Sequence, residues 1–432
     1  MRDYLVAVQV QRLFSFFASR IRLLIKHRST VDIFASALIR MGAGFLFWIV
    51  ATQTHSASDV GIATAVISAA SLVVAISTFG FEYGLLRFFD QFKNIPRRLI
   101  ESTVSFVLVS TFVFSFVFVI GMPLWAKGLQ SSFYSPVMGL VFIILALVTS
   151  LHLLFHRIYI AVSRTEFTLL QSTIAGSVRF IPLFLIPVAF HGSLTLSWII
   201  GIGTSVFIGL VFIIPRFMGN RFIRFRIEKD VIGTIGAFSF KSGVGSFLNS
   251  ATALIVPLLV VNILGTEQNA YFYMSWALAN ILVNIPVSSA WTVLAEGSRQ
   301  VAIKQGVFRR ELKLSILILV PLIIIVFLWG DKILSIFGSE YSFYGYDVLK
   351  LLAISSLPMT FNYLYLSTLA IDMKMKEVIT FNAVITSISL VGSYALLPLI
   401  GLNGVGLSWL TAHCLVLIYI LIRKYSRQIS TS

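Results

Sequence analysis

Long apolar stretches recur along the whole chain, separated by short segments of polar and basic residues. A helix needs about 20 apolar residues to cross the hydrocarbon core of a bilayer. Stretches of about this length occur at residues 31–53, 59–79, 100–122, 134–156, 167–190, 194–215, 234–261, 269–294, 312–330, 346–370, 376–398 and 403–422. Many contain Gly or Pro, which membrane helices tolerate where neighbouring helices satisfy the freed backbone groups. The pattern therefore predicts an all-α integral membrane protein with twelve transmembrane helices.

The composition supports this prediction and excludes a soluble protein. Of the 432 residues, 58% are hydrophobic and only 12% are charged, which is about half the charged fraction of a soluble globular domain. The single cysteine, Cys414, lies in an apolar stretch, where we predict that it packs between helices. A lone cysteine allows no disulfide within the chain and no multi-cysteine metal site.

The basic residues are distributed in a way that predicts the orientation in the membrane. With the N-terminus inside, alternate segments of the chain hold 27 Lys and Arg residues, whereas the intervening loops hold only Lys127 and Lys332. Cytoplasmic loops carry such an excess of Lys and Arg. We therefore predict that both termini are cytoplasmic and that the net charge of +16 reflects membrane topology rather than nucleic-acid binding. Residues 1–30 are predicted to form a cytoplasmic basic amphipathic segment on the membrane surface, with a poorly ordered tail as the alternative.

The chain divides into two similar halves around its longest basic loop. We predict a first lobe at 31–215, a cytoplasmic inter-lobe loop at 216–233, a second lobe at 234–422 and a cytoplasmic tail at 423–432. The polar segment before the second span has a counterpart about 210 residues later, before the eighth span. An even number of spans in each half makes this a parallel repeat, as in transporters that place a central site between two lobes. Two unrelated six-span bundles are the alternative.

Several stretches of the second half have a characteristic order and spacing. They are Leu264-Gly-Thr-Glu-Gln-Asn-Ala-Tyr-Phe-Tyr273, Ile285-Pro-Val-Ser288, Ala295-Glu-Gly297, Phe337-Gly-Ser-Glu-Tyr341, Leu351-Leu-Ala-Ile-Ser-Ser-Leu-Pro358 and Leu399-Ile-Gly-Leu-Asn-Gly-Val-Gly-Leu-Ser-Trp409. Through them the chain resembles the polysaccharide-transporter branch of the multidrug/oligosaccharidyl-lipid/polysaccharide (MOP) exporter superfamily, which contains the Wzx-type O-antigen flippases. The resemblance covers nearly the whole chain and is strongest in the second half.

The resemblance implies two six-helix lobes that form a V around a central cavity. It implies a flippase that moves polyprenyl-pyrophosphate-linked oligosaccharide across the cell membrane for surface polysaccharide biosynthesis, with polysaccharide assembly proteins as further partners. Coupling to H+ or Na+ is open, and no cofactor is expected. The drug-exporting MATE branch of the same superfamily, which shares the twelve-helix plan, is the main alternative, and a membrane-bound glycan polymerase or ligase is a weaker one.

Ionisable residues inside the predicted spans are candidates for a substrate site, because a charge in the hydrocarbon core is costly. The basic candidates are Arg40, Arg179, Lys241 and Lys350. A guanidinium donates two parallel hydrogen bonds to phosphate oxygens, so these residues predict a cationic cavity for a pyrophosphate. The alternative for Arg179 is a buried structural contact, and for Lys350 a side chain that reaches the outer surface. Glu82 is the candidate coupling or pairing carboxylate.

The sign of the deep charges favours an anionic substrate over a cationic one. A cation exporter would place a carboxylate at mid-depth, and the predicted spans hold none there. His152 and His156 share a helical face, but without a third ligand in view we expect polar helix contacts rather than a metal site. No catalytic residue is predicted, and no Gly-Lys-Ser/Thr phosphate loop is present.

Overall fold

The computed structural model describes residues 28–133, 136–186, 192–219, 221–299 and 303–429, and within these ranges the regular secondary structure is helical. Short 3₁₀ segments and one π-helical turn, Gly209–Ile213, accompany the α-helices. The α-helices are α1 Arg28–Thr54, α2 Ala57–Ser77, α3 Phe81–Phe88, α4 Pro96–Trp125, α5 Pro136–Ala161, α6 Glu166–Val178, α7 Phe180–Leu185, α8 Ser193–Ile208, α9 Ile214–Phe217, α10 Lys229–Leu264, α11 Thr266–Arg299, α12 Lys304–Ser335, α13 Ser339–Ile371, α14 Met375–Ile400 and α15 Asn403–Ile429.

The predicted twelve-span, all-α fold class is confirmed. Among the described residues, eleven helical segments are long and apolar enough to cross a membrane; α6 with α7, and α8 with α9, each form one such segment. The remaining predicted span, 346–370, lies in α13, a helix of 33 residues that carries Asp347, Lys350 and Asn362 between its apolar residues.

The helices alternate in direction between two faces of the bundle. We call the end that carries the basic loops, among them 157–164 and 216–229, the basic face, and the other end the opposite face. Helices α1–α9 form the first lobe and α10–α15 the second lobe, joined by the non-helical segment 221–228. The predicted basic segment 1–30 lies outside the described residues except for its last three, and the tail 423–432 is described only to residue 429.

The hydrophobic core is shared between the lobes near the opposite face and divided near the basic face. One large cluster at the opposite face joins first-lobe residues such as Phe47 and Val66 to second-lobe residues such as Tyr271 and Leu349. Near the basic face the first lobe has its own cluster, to which α10 adds Val231 and Ile235, and the second lobe has separate smaller clusters. The lobes therefore share one core at the opposite face, whereas toward the basic face α10 packs against the first lobe and the rest of the second lobe has its own clusters.

A break in the second span brings the lobes into contact along one side. The backbone of Phe79 and Gly80 has positive φ (46° and 71°), which ends α2 and starts α3. A Cβ added to Gly80 would lie 2.2 Å from the carbonyl oxygen of Ser239, and one added to Gly243 would lie 2.7 Å from the amide nitrogen of Gly80. Only glycine allows this approach of two backbones, so α3 and α10 seal one seam between the lobes.

Candidate functional site

A cavity of about 570 Å³ opens between the lobes in the half of the bundle nearer the basic face. It is lined by α1, α2, α3 and α5 of the first lobe and by α10 of the second. Its ionisable lining residues are Arg40, Glu82, His152, His156 and Arg157. We call it the charged cavity.

Arg40 projects into this cavity from α1. Its guanidinium Nη1 donates to the hydroxyl oxygen of Ser172 at 3.3 Å and lies 3.5 Å from that of Ser36. These partners are neutral, and no ion pair of Arg40 occurs among the described residues. The sequence-based prediction of Arg40 as a substrate-binding residue stays a prediction, and its position fits that role.

Arg157 is a second guanidinium in the same cavity. Its Cζ lies 5.4 Å from the centroid of the Tyr83 ring, an arrangement in which the cation is attracted to the aromatic face. Its Nε is buried and has no hydrogen-bond partner in the described structure. Hydropathy ends the predicted span at residue 156 and leaves Arg157 in the basic segment that follows, whereas α5 continues to Ala161.

Hydrogen bonds fix the side chain of His152, which lines the same cavity. The side-chain amide of Gln171 donates to His152 Nδ1 at 3.2 Å and to the His152 carbonyl oxygen at 3.0 Å, and the Ser205 hydroxyl lies 3.0 Å from Nδ1. The predicted polar helix contact for His152 is therefore present. Among the described residues, no group of three or more His, Cys, Asp or Glu side chains is placed to hold a metal.

Glu82 also lines the charged cavity, one residue after the start of α3. Its side chain is only 7% exposed, and Oε2 has no hydrogen-bond partner in the described structure. A buried carboxylate oxygen without a donor is costly. Glu82 thus remains the candidate coupling or pairing carboxylate.

Arg179 lies elsewhere, in an aromatic cluster toward the opposite face. It is 5% exposed and is absent from the lining of the charged cavity. Its Nε donates to the Ala175 carbonyl oxygen at 3.0 Å. Its Cζ lies 4.3 Å from the Trp198 ring centroid and 5.9 Å from that of Phe47. These contacts are those of a buried structural residue, which is the alternative predicted for Arg179. Substrate binding by Arg179 stays a prediction.

The two lysine candidates also lie away from the charged cavity. Lys241 is exposed on α10 and does not line it. Lys350 pairs with Asp347 at 2.6 Å, and its Nζ lies 4.3 Å from the Tyr346 ring centroid. Their roles in substrate binding remain predictions.

A second cavity, of about 330 Å³, adjoins the first on the side of the second lobe. Tyr83 and Ser246 line both cavities, and their hydroxyl groups are 2.7 Å apart across the interface of the lobes. Among the described residues, none of those that line the second cavity is charged. We call it the neutral cavity.

Hydrogen bonds close the bundle at the opposite face. The Asn269 amide donates to the Gly61 carbonyl oxygen at 2.8 Å, and the hydroxyls of Ser58 and Thr266 lie 2.8 Å apart. Asn262 of α10 donates to the Trp125 carbonyl oxygen at 2.8 Å. These bonds link the first lobe to the second, so both cavities end below a closed face.

The two seams between the lobes differ. Whereas α3 and α10 meet through glycine, the seam between α1 and α11 is joined near the opposite face by Trp48 and Tyr273, whose ring centroids are 5.6 Å apart. In the basic-face part of α1, from Val31 to Phe45, only Ser36 is buried. This part of α1 is therefore largely uncovered by the rest of the bundle.

Comparison of structures finds the same fold, two helical lobes with cavities between them, in solved structures of membrane transporters. The chain matches an inward-facing multidrug resistance MATE family transporter of the MOP superfamily with a TM-score of 0.68 and 12% identity, over 92% of this chain and 98% of that one. It matches the lipid II flippase MurJ in an inward closed conformation with a TM-score of 0.74 and 13% identity, over 92% of this chain and 87% of that one.

A third similar structure is a MOP superfamily transporter from Pyrococcus furiosus, with a TM-score of 0.61 and 11% identity over 93% of this chain and 94% of that one. Its binding pocket is described as having reverse polarity that suggests a different function. No protein-family profile matches the chain, and no curated protein matches it in sequence. At these identities the similarity shows the fold alone.

Proposed function

We propose that this protein is a flippase or exporter that translocates polyprenyl-pyrophosphate-linked oligosaccharide across the cell membrane by alternating access. The observation that carries the proposal is the charged cavity, where Arg40 and Arg157 face one space and neither forms an ion pair among the described residues. Two guanidinium groups in a partly enclosed site suit the two phosphates of a pyrophosphate. His152 and His156 add hydrogen-bonding groups to the same wall.

We propose that a lipid-linked substrate enters laterally between α1 and α11, because the basic-face part of α1 is largely exposed. A long polyprenyl chain gains nothing by leaving the hydrocarbon, whereas its pyrophosphate must be shielded from it. With the head group in the charged cavity, a passage between these two helices would let the chain stay in the bilayer. Rocking of one lobe against the other around the site would then expose the head group at the opposite face.

The remaining parts of the proposal rest on the charge distribution and on the resemblance of the sequence to the polysaccharide-transporter branch. The positive-inside rule places the basic face in the cytoplasm, so the cavities face the compartment in which lipid-linked intermediates are assembled. We propose a multi-pass protein of the cell (inner) membrane that acts in surface polysaccharide biosynthesis beside polysaccharide assembly proteins and catalyses no covalent step. Glu82 is the candidate carboxylate for coupling to H+ or Na+.

Glu82 also supports the second candidate function, a MATE-type cation-coupled drug antiporter. A buried carboxylate without a hydrogen-bond donor on Oε2 suits the binding of an organic cation. We rank this function second because Arg40 and Arg157 share the cavity with a single carboxylate and would repel such a substrate.

Reconstituted transport separates the two functions. The purified protein is placed in lipid vesicles, and flipping of a fluorescent prenyl-pyrophosphate-linked sugar is followed by its accessibility to an impermeant quencher. We expect flipping to fall by about tenfold to a hundredfold in Arg40→Ala and in Arg157→Ala, since each removes a charge-assisted hydrogen bond. Arg216→Ala, which changes an exposed arginine on α9 away from both cavities, is the matched control.

The contrary result is equally specific. The antiporter would be established if the vesicles accumulate a cationic dye under an ion gradient and do not flip the lipid-linked sugar. Dye transport should then be lost in Glu82→Gln. Unimpaired flipping in both arginine variants would remove the charged cavity from the pathway.

A further inference from the structure

The neutral cavity has a composition that differs from that of the charged cavity beside it. Its polar lining is made of uncharged hydroxyl and amide groups. They are Tyr83 of α3 and, on α10, α13 and α14, Ser242, Ser246, Asn249, Tyr363, Ser367 and Asn382. Neutral hydroxyl and amide groups both donate and accept hydrogen bonds, which is what the hydroxyl groups of a sugar ring require.

An aromatic face is available at the wall of the same cavity. Trp291 of α11 lines the cavity and is 66% exposed, although it is a large aromatic residue in the basic-face half of the helix. The opposite wall holds Tyr363, whose hydroxyl donates to Asn249 Oδ1 at 2.9 Å. An apolar ring face beside fixed polar groups matches the two surfaces of a sugar, its C–H face and its hydroxyl edge.

Behind this wall a small pocket of about 20 Å³ contains buried polar groups whose hydrogen bonds are unmade. Asn249, Tyr363 and Asn382 line both the pocket and the neutral cavity. In the described structure Asn362 Oδ1, His413 Nε2 and Trp409 Nε1 have no hydrogen-bond partner, and all three side chains are buried. A volume of this size holds one hydroxyl group or one water molecule.

The contacts of Asn362 show which of these three unpaired atoms can donate a hydrogen bond and which can accept one. The Asn362 amide donates to His413 Nδ1 at 3.2 Å and to the His413 carbonyl oxygen at 2.9 Å. Because Nδ1 accepts, the neutral imidazole carries its proton on Nε2. Together with the Trp409 indole, the pocket offers two donors and, from Asn362 Oδ1, one acceptor. That set is complementary to a hydroxyl group, which both accepts and donates.

We propose that the neutral cavity is the binding site for the uncharged sugar rings of the translocated substrate, with a hexose or N-acetylhexosamine stacked on Trp291 and hydrogen-bonded to Asn382. This inference rests on the proposed flippase function. It divides the head-group site of the flippase into a pyrophosphate site and a sugar site. The pyrophosphate lies at Arg40 and Arg157 in the first lobe, and the sugars extend past Tyr83 and Ser246 into the second lobe. A sugar bearing a carboxylate is disfavoured there, because no cation among the described residues lines the cavity to offset its desolvation.

The test compares three soluble probes on the full-length protein in detergent micelles. The probes are a short-chain prenyl pyrophosphate without a sugar, the same compound carrying N-acetylglucosamine, and the same compound carrying glucuronic acid. We expect the N-acetylglucosamine compound to bind about tenfold more tightly than the sugar-free compound, and the glucuronic acid compound to gain nothing over it.

Variants assign the gain to the neutral cavity. In Trp291→Ala and Asn382→Ala we expect the ratio of the N-acetylglucosamine and sugar-free affinities to fall to about one, with Trp291→Phe retaining part of it. Trp329→Ala, which removes an exposed tryptophan on α12 outside both cavities, is the matched control and should keep the ratio. Melting temperature and gel filtration verify that each variant is folded, and Asn382→Gln replaces Asn382→Ala if the latter is not.

Each contrary outcome has its own meaning. If the ratio of the N-acetylglucosamine and sugar-free affinities is unchanged in the folded Trp291 and Asn382 variants, the sugar site is wrong but the flippase function stands. The same conclusion follows if the glucuronic acid compound binds as tightly as the N-acetylglucosamine compound. If none of the three probes binds to the folded wild-type protein, the proposed function itself is wrong and the sugar site falls with it.

Discussion

Asn269 of α11 donates a hydrogen bond from its side-chain amide to the backbone carbonyl oxygen of Gly61 in α2, at 2.8 Å. Both residues are buried and belong to different lobes. A Cβ added to Gly61 would lie 1.8 Å from the Thr266 carbonyl oxygen, so the contact depends on the missing side chain. This pair holds the opposite face closed, and alternating access would require it to separate.

The closed face can be locked. Ser58 and Thr266, whose hydroxyl oxygens are 2.8 Å apart, are replaced by cysteines in a Cys414→Ser background. We expect oxidation to join them and to stop transport, because the opposite face can no longer open, and a reducing agent to restore it. The two single-cysteine variants serve as controls. Transport that continues at full rate in the cross-linked protein would show that this face does not open.

Gly61→Ala should shift the protein toward the open conformation. The new methyl group cannot be accommodated against the Thr266 backbone, so the lobes must move apart there. We expect cross-linking of the Ser58–Thr266 cysteine pair to become slower. Gly44→Ala, at a position with no neighbour within 4 Å of an added Cβ, should leave the rate unchanged, and equal rates in the two variants would contradict the prediction.

Arg179→Ala should destabilise the folded protein. The guanidinium is stacked on Trp198 and donates to the Ala175 carbonyl oxygen, and a desolvated cation–aromatic contact contributes about 2 kcal/mol. We expect a lower melting temperature and less membrane-inserted protein, with transport per inserted molecule largely kept and Arg179→Lys intermediate in stability. A normal melting temperature together with lost transport would instead place Arg179 in the substrate pathway, as the sequence alone suggests.

Acid should destabilise the folded protein by protonating Glu228, which lies in the non-helical segment 221–228 that joins the lobes. Glu228, outside the spans, accepts a hydrogen bond from Arg98 and pairs with Arg226, and these contacts lower the pKa of its carboxyl group in the folded protein. The unfolded chain has the higher pKa, about 4.3. The stabilisation is therefore complete above that value and is lost as the pH falls toward the folded-state pKa.

Melting temperatures measured across this acidic range test the effect. The wild-type protein should lose more stability than Glu228→Gln, which has no carboxylate to protonate. Glu267→Gln, at an exposed position near the opposite face, should retain the wild-type dependence. Parallel curves for wild type and Glu228→Gln would show that the ion pair does not stabilise the fold.

Orientation is tested by labelling of cysteines in intact cells, again in the Cys414→Ser background. Ser339→Cys, exposed near the opposite face, should react with an impermeant thiol reagent from outside. Gly219→Cys, exposed at the basic face, should react only after permeabilisation. The reverse pattern would place the basic face outside and contradict the positive-inside prediction.

The amino-acid sequence by itself determines where the chain crosses the membrane. The hydrocarbon core demands about 20 apolar residues for each crossing regardless of which helices are neighbours, so local composition is sufficient. The first predicted span, 31–53, accordingly agrees with the observed apolar segment Val31–Thr54. The second predicted span, 59–79, likewise ends close to the end of α2 at Ser77. The sequence does not identify Gly243 as the partner of Gly80, because the two glycines lie far apart in the chain.

Which ionisable side chains meet in one cavity was decided only by the tertiary structure. Arg40 and Arg179 are alike in sequence, each a basic residue within an apolar span, yet one faces the charged cavity and the other is enclosed by Trp198 and Phe47. Arg157 joins Arg40 although hydropathy assigns it to a loop. The rotation of each helix about its axis selects the side chains that face the cavity. That rotation is set by packing between segments distant in the chain, which the pattern along any single span does not encode.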